Sequence, residues 1–389
     1  VDTVRLVKLI NDALRFCRNN DIGIKRVRAL SILRAELINY GLSMARTHVR
    51  INASQLHNAI HKDIGLDSSP DDPANAKTYL GAVNGLLDKV KPVTINFGSV
   101  LAERLSGKRL FMIVAQMLKY VDVTTPVRFL IAECETPFTL LTALYFLKLF
   151  GIDHKVDISP LFETEKALVY GHRVIDELLE NPHYRNYVKK RGRLCIQTGF
   201  SDAGRYLGQT AAALSIENLH LNMARVLARH KLKGVQLVIF DTHGESIGRG
   251  GHPASMDDRL RYLASPFARR SFEKKGLSCK EEISFQGGDG YLCFMNEAAA
   301  LATVSRILEY VLSPCAEAEN DPFYEQADYA GEIVNTIKHF NAEIMNNPDY
   351  AALLGAFGSN MLYATGSRPV VRQHEGAHGG GALLTHPSQ

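Results

Sequence analysis

"KVDISPLFETEKALVYGHRVIDELLE" fills residues 155–180, and its character changes once, near Thr164. The first nine residues, through Glu163, are mostly apolar and show no clean polar alternation, as in a strand covered on both faces. The remainder places apolar residues at helical spacing. A strand followed directly by a helix is the unit of a parallel α/β fold. The same order recurs along the chain. "VRFLIAEC" (127–134) precedes a helix from Thr136, and "RLCIQTGFSD" (193–202) precedes a long helix over 205–230. "VQLVIFD" (235–241) precedes a helix through 257–275, and "EEISFQG" (281–287) precedes one through 296–312. Five strand–helix units at similar spacing predict a parallel sheet.

Such a sheet can close into a (β/α)₈ barrel of the TIM type or stay open and doubly wound. Polar residues stand at the carboxyl ends of the expected strands: Arg50, Glu133, Glu163, Asp202, Asp241 with His243, and Gln286. In a barrel those ends converge on one rim, whereas in an open sheet only the ones near the switch point meet. Six polar ends favour the barrel. The expected organisation is N-terminal helices over 1–40 and a barrel core over 41–315 with a polar insertion near 52–125. Residues 316–389 then carry C-terminal helices and a glycine-rich segment with Gly379, Gly380 and Gly381. That segment reads either as a linker or as a mobile lid over the rim.

The whole-chain numbers suit this picture. The chain has 389 residues, 46% of them hydrophobic and 22% charged, the composition of an ordinary globular protein. A formal net charge of +4 makes no case for nucleic acid, which calls for a concentrated basic face. The most apolar stretch, 138–152, contains Lys148 and is too short to span a bilayer. The six cysteines form no C-x-x-C pair and lie in or beside apolar runs, which points to buried thiols in a reducing cytoplasm. A start at Val1 and an end at "LLTHPSQ" read as a piece of something longer.

Three sets of residues could carry chemistry. Glu163 and Asp202 each end an apolar strand. Carboxylates from adjacent strands can share one Mg²⁺ or Mn²⁺ ion; the competing reading is that each caps the helix after it. Arg50, Arg249 and Arg368 sit in "HVRIN", "GRGGHP" and "TGSRPVV", and arginine grips phosphate or carboxylate with a planar fork. His243 and His252 flank the glycine turn of "FDTHGESIGRGGHP" (240–253) without any zinc-ligand spacing. A lone loop histidine or arginine is commonly just surface.

Taken in order, these segments resemble phosphoenolpyruvate carboxylases. "ISPLFET" (158–164) is similar to the family segment whose glutamate binds metal, and "GFSDAGRYLGQTAA" (199–212) to the one whose aspartate is the second ligand. "SIGRGGHP" resembles the second half of a doubled glycine–arginine motif. "GLSMARTHVR" resembles the strand whose last arginine contacts phosphoenolpyruvate, and "TGSRP" a late arginine motif before a mobile loop. The resemblance implies a (β/α)₈ barrel with extra helices, joining phosphoenolpyruvate and bicarbonate to give oxaloacetate and phosphate with Mg²⁺ or Mn²⁺. It implies metal at Glu163 and Asp202, phosphate at Arg50 and Arg368, and bicarbonate or an acidic effector near Arg249, in a cytoplasmic homo-oligomer.

The departures are local. Asp241, Thr242 and His243 stand where the family has histidine, glycine and arginine, and Glu245 replaces a glycine. His243 therefore occupies the place of a phosphate-binding arginine, with added carboxylates that would repel phosphate. The lysine expected after the aspartate is absent from "SDAGR", and the family's Thr–Ala–His–Pro–Thr segment is missing. A second function stays open on this ground: a homologue that has lost or changed carboxylation and binds a phosphorylated or dicarboxylic acid in a regulatory or scaffolding role.

Overall fold

The computed structural model describes residues 3–42, 47–66, 70, 72–121, 123, 126–199, 203–204, 207–241, 265–283, 296–312 and 322–358. The architecture is α/β. Six parallel strands follow the order of the chain: β1 (Thr47–Asn52), β2 (Val127–Ala132), β3 (Val156–Phe162), β4 (Arg193–Thr198), β5 (Gln236–Asp241) and β6 (Cys279–Ile283). Parallel neighbours need a crossover between them, and helices supply it. The described chain divides into two compact units. One comprises Val1–Pro160 with Glu177–Leu194, and the other Leu161–Asp176 with Cys195–Gln389.

The first unit opens with α1 (Thr3–Asn19) and α2 (Ile24–Tyr40). Residues 53–120, within the polar insertion expected near 52–125, carry α3 (Ala53–Ile64), α4 (Ala76–Lys89), α5 (Phe97–Ala102) and α6 (Ser106–Tyr120). Asn52 and Gln55 form a reciprocal capping box where β1 passes into α3. Gln55 also donates to Ser106 at 3.3 Å, and a methyl group at Gly107 would stand 2.5 Å from the Gln55 carbonyl oxygen. Only glycine permits α6 to meet α3 that closely.

After β2 comes α7 (Pro137–Leu149), with proline in its first turn and every residue from Phe138 to Leu147 buried. A helix apolar on all sides belongs in a core, and no described helix is long and apolar enough to cross a membrane. Phe111 stacks on Phe129 with ring centroids 4.3 Å apart, binding α6 to β2. Aromatic pairs of this kind add about 0.5–1.5 kcal/mol beyond area burial.

The amino end of β3 is tied down by polar bonds. Buried Asp157 meets Arg191 at 2.7 Å and Arg193 at 2.9 Å. Arg191 belongs to α9 (Pro182–Arg191), in a stretch the sequence reading left unassigned after the helix ending at Glu180. Asn181 caps it by accepting from the His183 and Tyr184 amides, and Pro182 opens it. From α9 the buried Tyr187 hydroxyl donates to Val156 O at 2.9 Å and accepts from Ile158 N at 2.8 Å. The described pairing of β3 with β4 begins at Leu161. Tyr187 therefore satisfies backbone groups of β3 ahead of that pairing.

The second unit holds the end of β3, α8 (Glu165–Glu180) as far as Asp176, β4 from Cys195, α10 (Gln209–His230), β5, α11 (Pro266–Lys274), β6, α12 (Glu297–Leu312), α13 (Ala327–Met345) and α14 (Pro348–Gly358). Asp176 of α8 accepts from His230 at 2.6 Å and pairs with Arg229, both at the end of α10. α10 packs against α11 and α13. The strand read over 281–287 begins two residues earlier, at Cys279, while 284–287 lie outside the described residues.

Candidate functional site

Glu163 lies one residue past the end of β3 and is 7% exposed. The sequence left two roles for it, metal ligand or helix cap. The cap of α8 is Thr164, whose hydroxyl accepts from the Ala167 amide at 3.1 Å.

β3 and β4 are parallel neighbours, with Leu161 opposite Gln197 and Phe162 opposite Thr198. The Gly199 amide extends the ladder by donating to Phe162 O at 3.0 Å. This register sets Glu163 beside Gly199. A methyl group at Gly199 would stand 2.8 Å from Glu163 Cβ, 2.9 Å from Leu161 Cδ1 and 3.4 Å from Glu163 Oε2. The glycine thus leaves the space in which the Glu163 side chain lies. Asp202 lies outside the described residues. Ala203, the next described residue, is 1% exposed.

The other predicted residues are distributed differently. Arg50 is exposed on β1 in the first unit, in register with Leu130, and Leu130 in turn with Ser159 of β3. Arg50 and Glu163 belong to separate units. His243 and Arg249 fall within 242–264, and Arg368 within 359–389; all three are outside the described residues, as are His252 and Gln286. Asp241 ends β5 opposite Ile283. Glu133 follows β2 with φ 56°, a left-handed backbone that costs a non-glycine residue about 1 kcal/mol.

Gln197 was passed over in the sequence. It is fully buried on β4, and neither atom of its carboxamide has a hydrogen-bond partner among the described residues. Strand alternation puts it on the same face as Gly199. The signal was present as one amide inside the apolar run "LCIQT", where a buried polar group needs a partner.

Thiols supply no reactive group among the described residues. Cys17, Cys134 and Cys195 are buried and unbonded to one another, as the composition suggested. Burial pushes the Cys279 thiol up to about 12, helped by Glu281, and raises that of Cys134 as well. No cluster of three or more metal-ligating side chains occurs among the described residues. Glu163 alone, with one further carboxylate, suits a hard divalent ion whose remaining ligands are water and substrate oxygens.

Comparison with known proteins supplies the context. The family model described as phosphoenolpyruvate carboxylase matches residues 3–258. A phosphoenolpyruvate carboxylase of Hahella chejuensis is 34% identical over 127 residues, covering 33% of this chain and 14% of that protein. One from Shewanella oneidensis is 30% identical over 251 residues, covering 64% of this chain and 27% of that protein. Phosphoenolpyruvate carboxylase 3 of Sorghum bicolor is 23% identical over 310 residues, covering 77% and 30%. The chain thus spans less than a third of the length of these relatives.

Proposed function

Because the chain belongs to the phosphoenolpyruvate carboxylase family, we propose that it takes part in joining phosphoenolpyruvate to bicarbonate, giving oxaloacetate and inorganic phosphate. The observation that carries the proposal is the packing of Glu163 over Gly199 at adjacent parallel strand ends, three residues before Asp202. The reading is of a barrel rim. Six parallel strands in chain order are compatible with part of a (β/α)₈ barrel, which has eight. The domain reading goes with it: helices over 1–40, a barrel core over 41–315 and a C-terminal part over 316–389.

The family uses a divalent metal, and Glu163 and Asp202 are the residues that would hold Mg²⁺ or Mn²⁺ here. When bound, such an ion neutralises charge on a phosphorylated acid and polarises its oxygen. The chain's own groups divide the remaining work. Arg50 and Arg368 would fork onto the phosphate oxygens and fix the ester in place. Arg249 would hold the bicarbonate end, or an acidic effector. His243 would donate a hydrogen bond to phosphate from an imidazole in place of a guanidinium. The buried Gln197 amide would gain a partner once polar ligand or water reaches that face.

A second reading rests on the strand-end sequence Asp241–Thr242–His243 with Glu245, which puts carboxylates where the family pattern has none. It is a homologue that binds a phosphorylated or dicarboxylic acid without carboxylating it. One assay separates the two. The protein is mixed with phosphoenolpyruvate, bicarbonate and Mg²⁺, and oxaloacetate is coupled to malate dehydrogenase. Signal well above that of Glu163→Ala supports carboxylation. No signal, together with a phosphoenolpyruvate-dependent rise in melting temperature, supports the second reading.

A further inference from the structure

Gln197 is a polar side chain that the fold of the second unit does not use. It is fully buried on β4, and neither its Oε1 nor its Nε2 has a hydrogen-bond partner among the described residues. Its lateral neighbour on β3 is Leu161, which offers only carbon. The next residue of β4 on the same face is Gly199, which offers no side chain. Leaving both halves of a buried carboxamide unmet is destabilising, and a methionine of nearly the same length would remove that cost. Such a group is explained when the protein gives it a partner on binding something.

The amide stands near the carboxylate on which the proposed function rests. Residues in register on parallel strands share a face, so Leu161 and Glu163 of β3 lie on the same face as Gln197 and Gly199 of β4. Glu163 meets Gly199 there, and Gln197 is two residues back, about 6–7 Å along the strand. No side chain of β4 on that face separates the carboxamide from the carboxylate. The two groups complement each other in kind. An ionised glutamate only accepts hydrogen bonds or binds a cation, whereas a carboxamide both donates and accepts.

We infer that Gln197 is a specificity-determining residue for bicarbonate, which it meets edge to edge: Nε2–H donates to a bicarbonate oxygen, and Oε1 accepts from the bicarbonate hydroxyl. The inference rests on the proposed function and concerns the same site. Near neutral pH the other substrate, phosphoenolpyruvate, presents ionised carboxylate and phosphate groups, which accept and do not donate. It can satisfy only the donor half of a carboxamide. Bicarbonate carries a donor hydroxyl and acceptor oxygens on one carbon, so it satisfies both halves, and its few heavy atoms suit a fully buried partner. A site built to bond a hydroxyl rejects analogues that lack it. Nitrate has the shape and charge of bicarbonate without the hydroxyl, and it is the anion this site should refuse.

The test uses the whole chain with Mg²⁺ and isotopically labelled bicarbonate, whose NMR line broadens on binding, so no turnover is needed. The parent should broaden the line, and nitrate at equal concentration should not reverse the effect. Gln197→Met should bind bicarbonate at least about tenfold more weakly. It should melt at or above the temperature of the parent, since it removes an unmet polar group. In the coupled oxaloacetate assay the same variant should raise the KM for bicarbonate at least about tenfold and leave that for phosphoenolpyruvate within about twofold. The inference is overturned by absence of broadening in the parent, by nitrate competing as well as bicarbonate, or by unaltered broadening in Gln197→Met. A variant that melts well below the parent would reveal a structural partner for the amide and overturn it too. Carboxylation by the parent with an unchanged bicarbonate KM in the variant overturns the inference and leaves the proposed function standing. Broadening that depends on Gln197 in a protein that forms no oxaloacetate supports the inference and counts against carboxylation.

Discussion

The two ends of β3 are built on opposite principles. At the amino end, Asp157 is held by two arginines, and Tyr187 answers both an amide and a carbonyl of the strand. At the carboxyl end, Glu163 is buried over a bare glycine, the next strand holds an unpartnered amide at Gln197, and β2 ends in the left-handed Glu133. Satisfied buried polar groups stabilise a fold, whereas strain and unmet hydrogen-bonding capacity collect where a protein binds something. On the proposed function, the contrast makes the amino end a matter of stability and the carboxyl end the candidate place for chemistry.

Substitutions at the two ends should therefore fail different assays. The largest effect is expected from Glu163→Gln. It keeps the shape, and it should lower metal-dependent carboxylation by at least about a hundredfold, since the ion's charge stabilisation is worth several kcal/mol. Its melting temperature should stay at or above that of the parent. A variant that melts early and keeps its rate would reverse the assignment. Asp157→Ala should do the opposite, costing about 3–5 kcal/mol in urea unfolding because two partly buried arginines lose their partner. The activity of its folded fraction should be unchanged.

Gly199→Ala tests the seam itself. The added methyl would crowd Glu163 and Leu161, at a cost of about 1–3 kcal/mol for overpacking. Activity should fall further than stability alone explains, because Glu163 must move. Equal losses in both would mean that the carboxylate's position is unimportant. Tyr187→Phe should cost about 1–3 kcal/mol by orphaning buried backbone groups, again without affecting turnover per folded molecule. The smallest effect is expected at Glu133. Glycine there relieves the left-handed backbone and should stabilise by up to about 1 kcal/mol in thermal melts.

Much of this was legible in the sequence, for identifiable reasons. β2 through β5 stood out because covered strands read as apolar runs, and their order followed from alternation with helices. α9 was not read because it is short, ends in the polar run "KKR" and starts from a purely local cap at Asn181 and Pro182. The helices within residues 52–125 were read as a polar insertion because the loop sequence "LDSSPDDPANAK" (66–77) interrupts them. Glu163 was visible as a polar strand end, but the cap bond at the adjacent Thr164 was not, since either residue could have been read as the cap. Gln197 escaped notice because its significance depends on having no partner in space. Arg249, His243 and Arg368 rest on motif resemblance alone.

The close meeting of Gly107 with Gln55 has a consequence for the strand that carries Arg50. Gln55 reaches back to the Asn52 amide, which terminates β1, so the first turn of α3 is held from outside by the start of α6. A bulkier residue at 107 would push on that turn and pivot the strand tip with it. A position far from any ligand would then set the aim of a guanidinium, in the way that a mounting screw sets the aim of a lens.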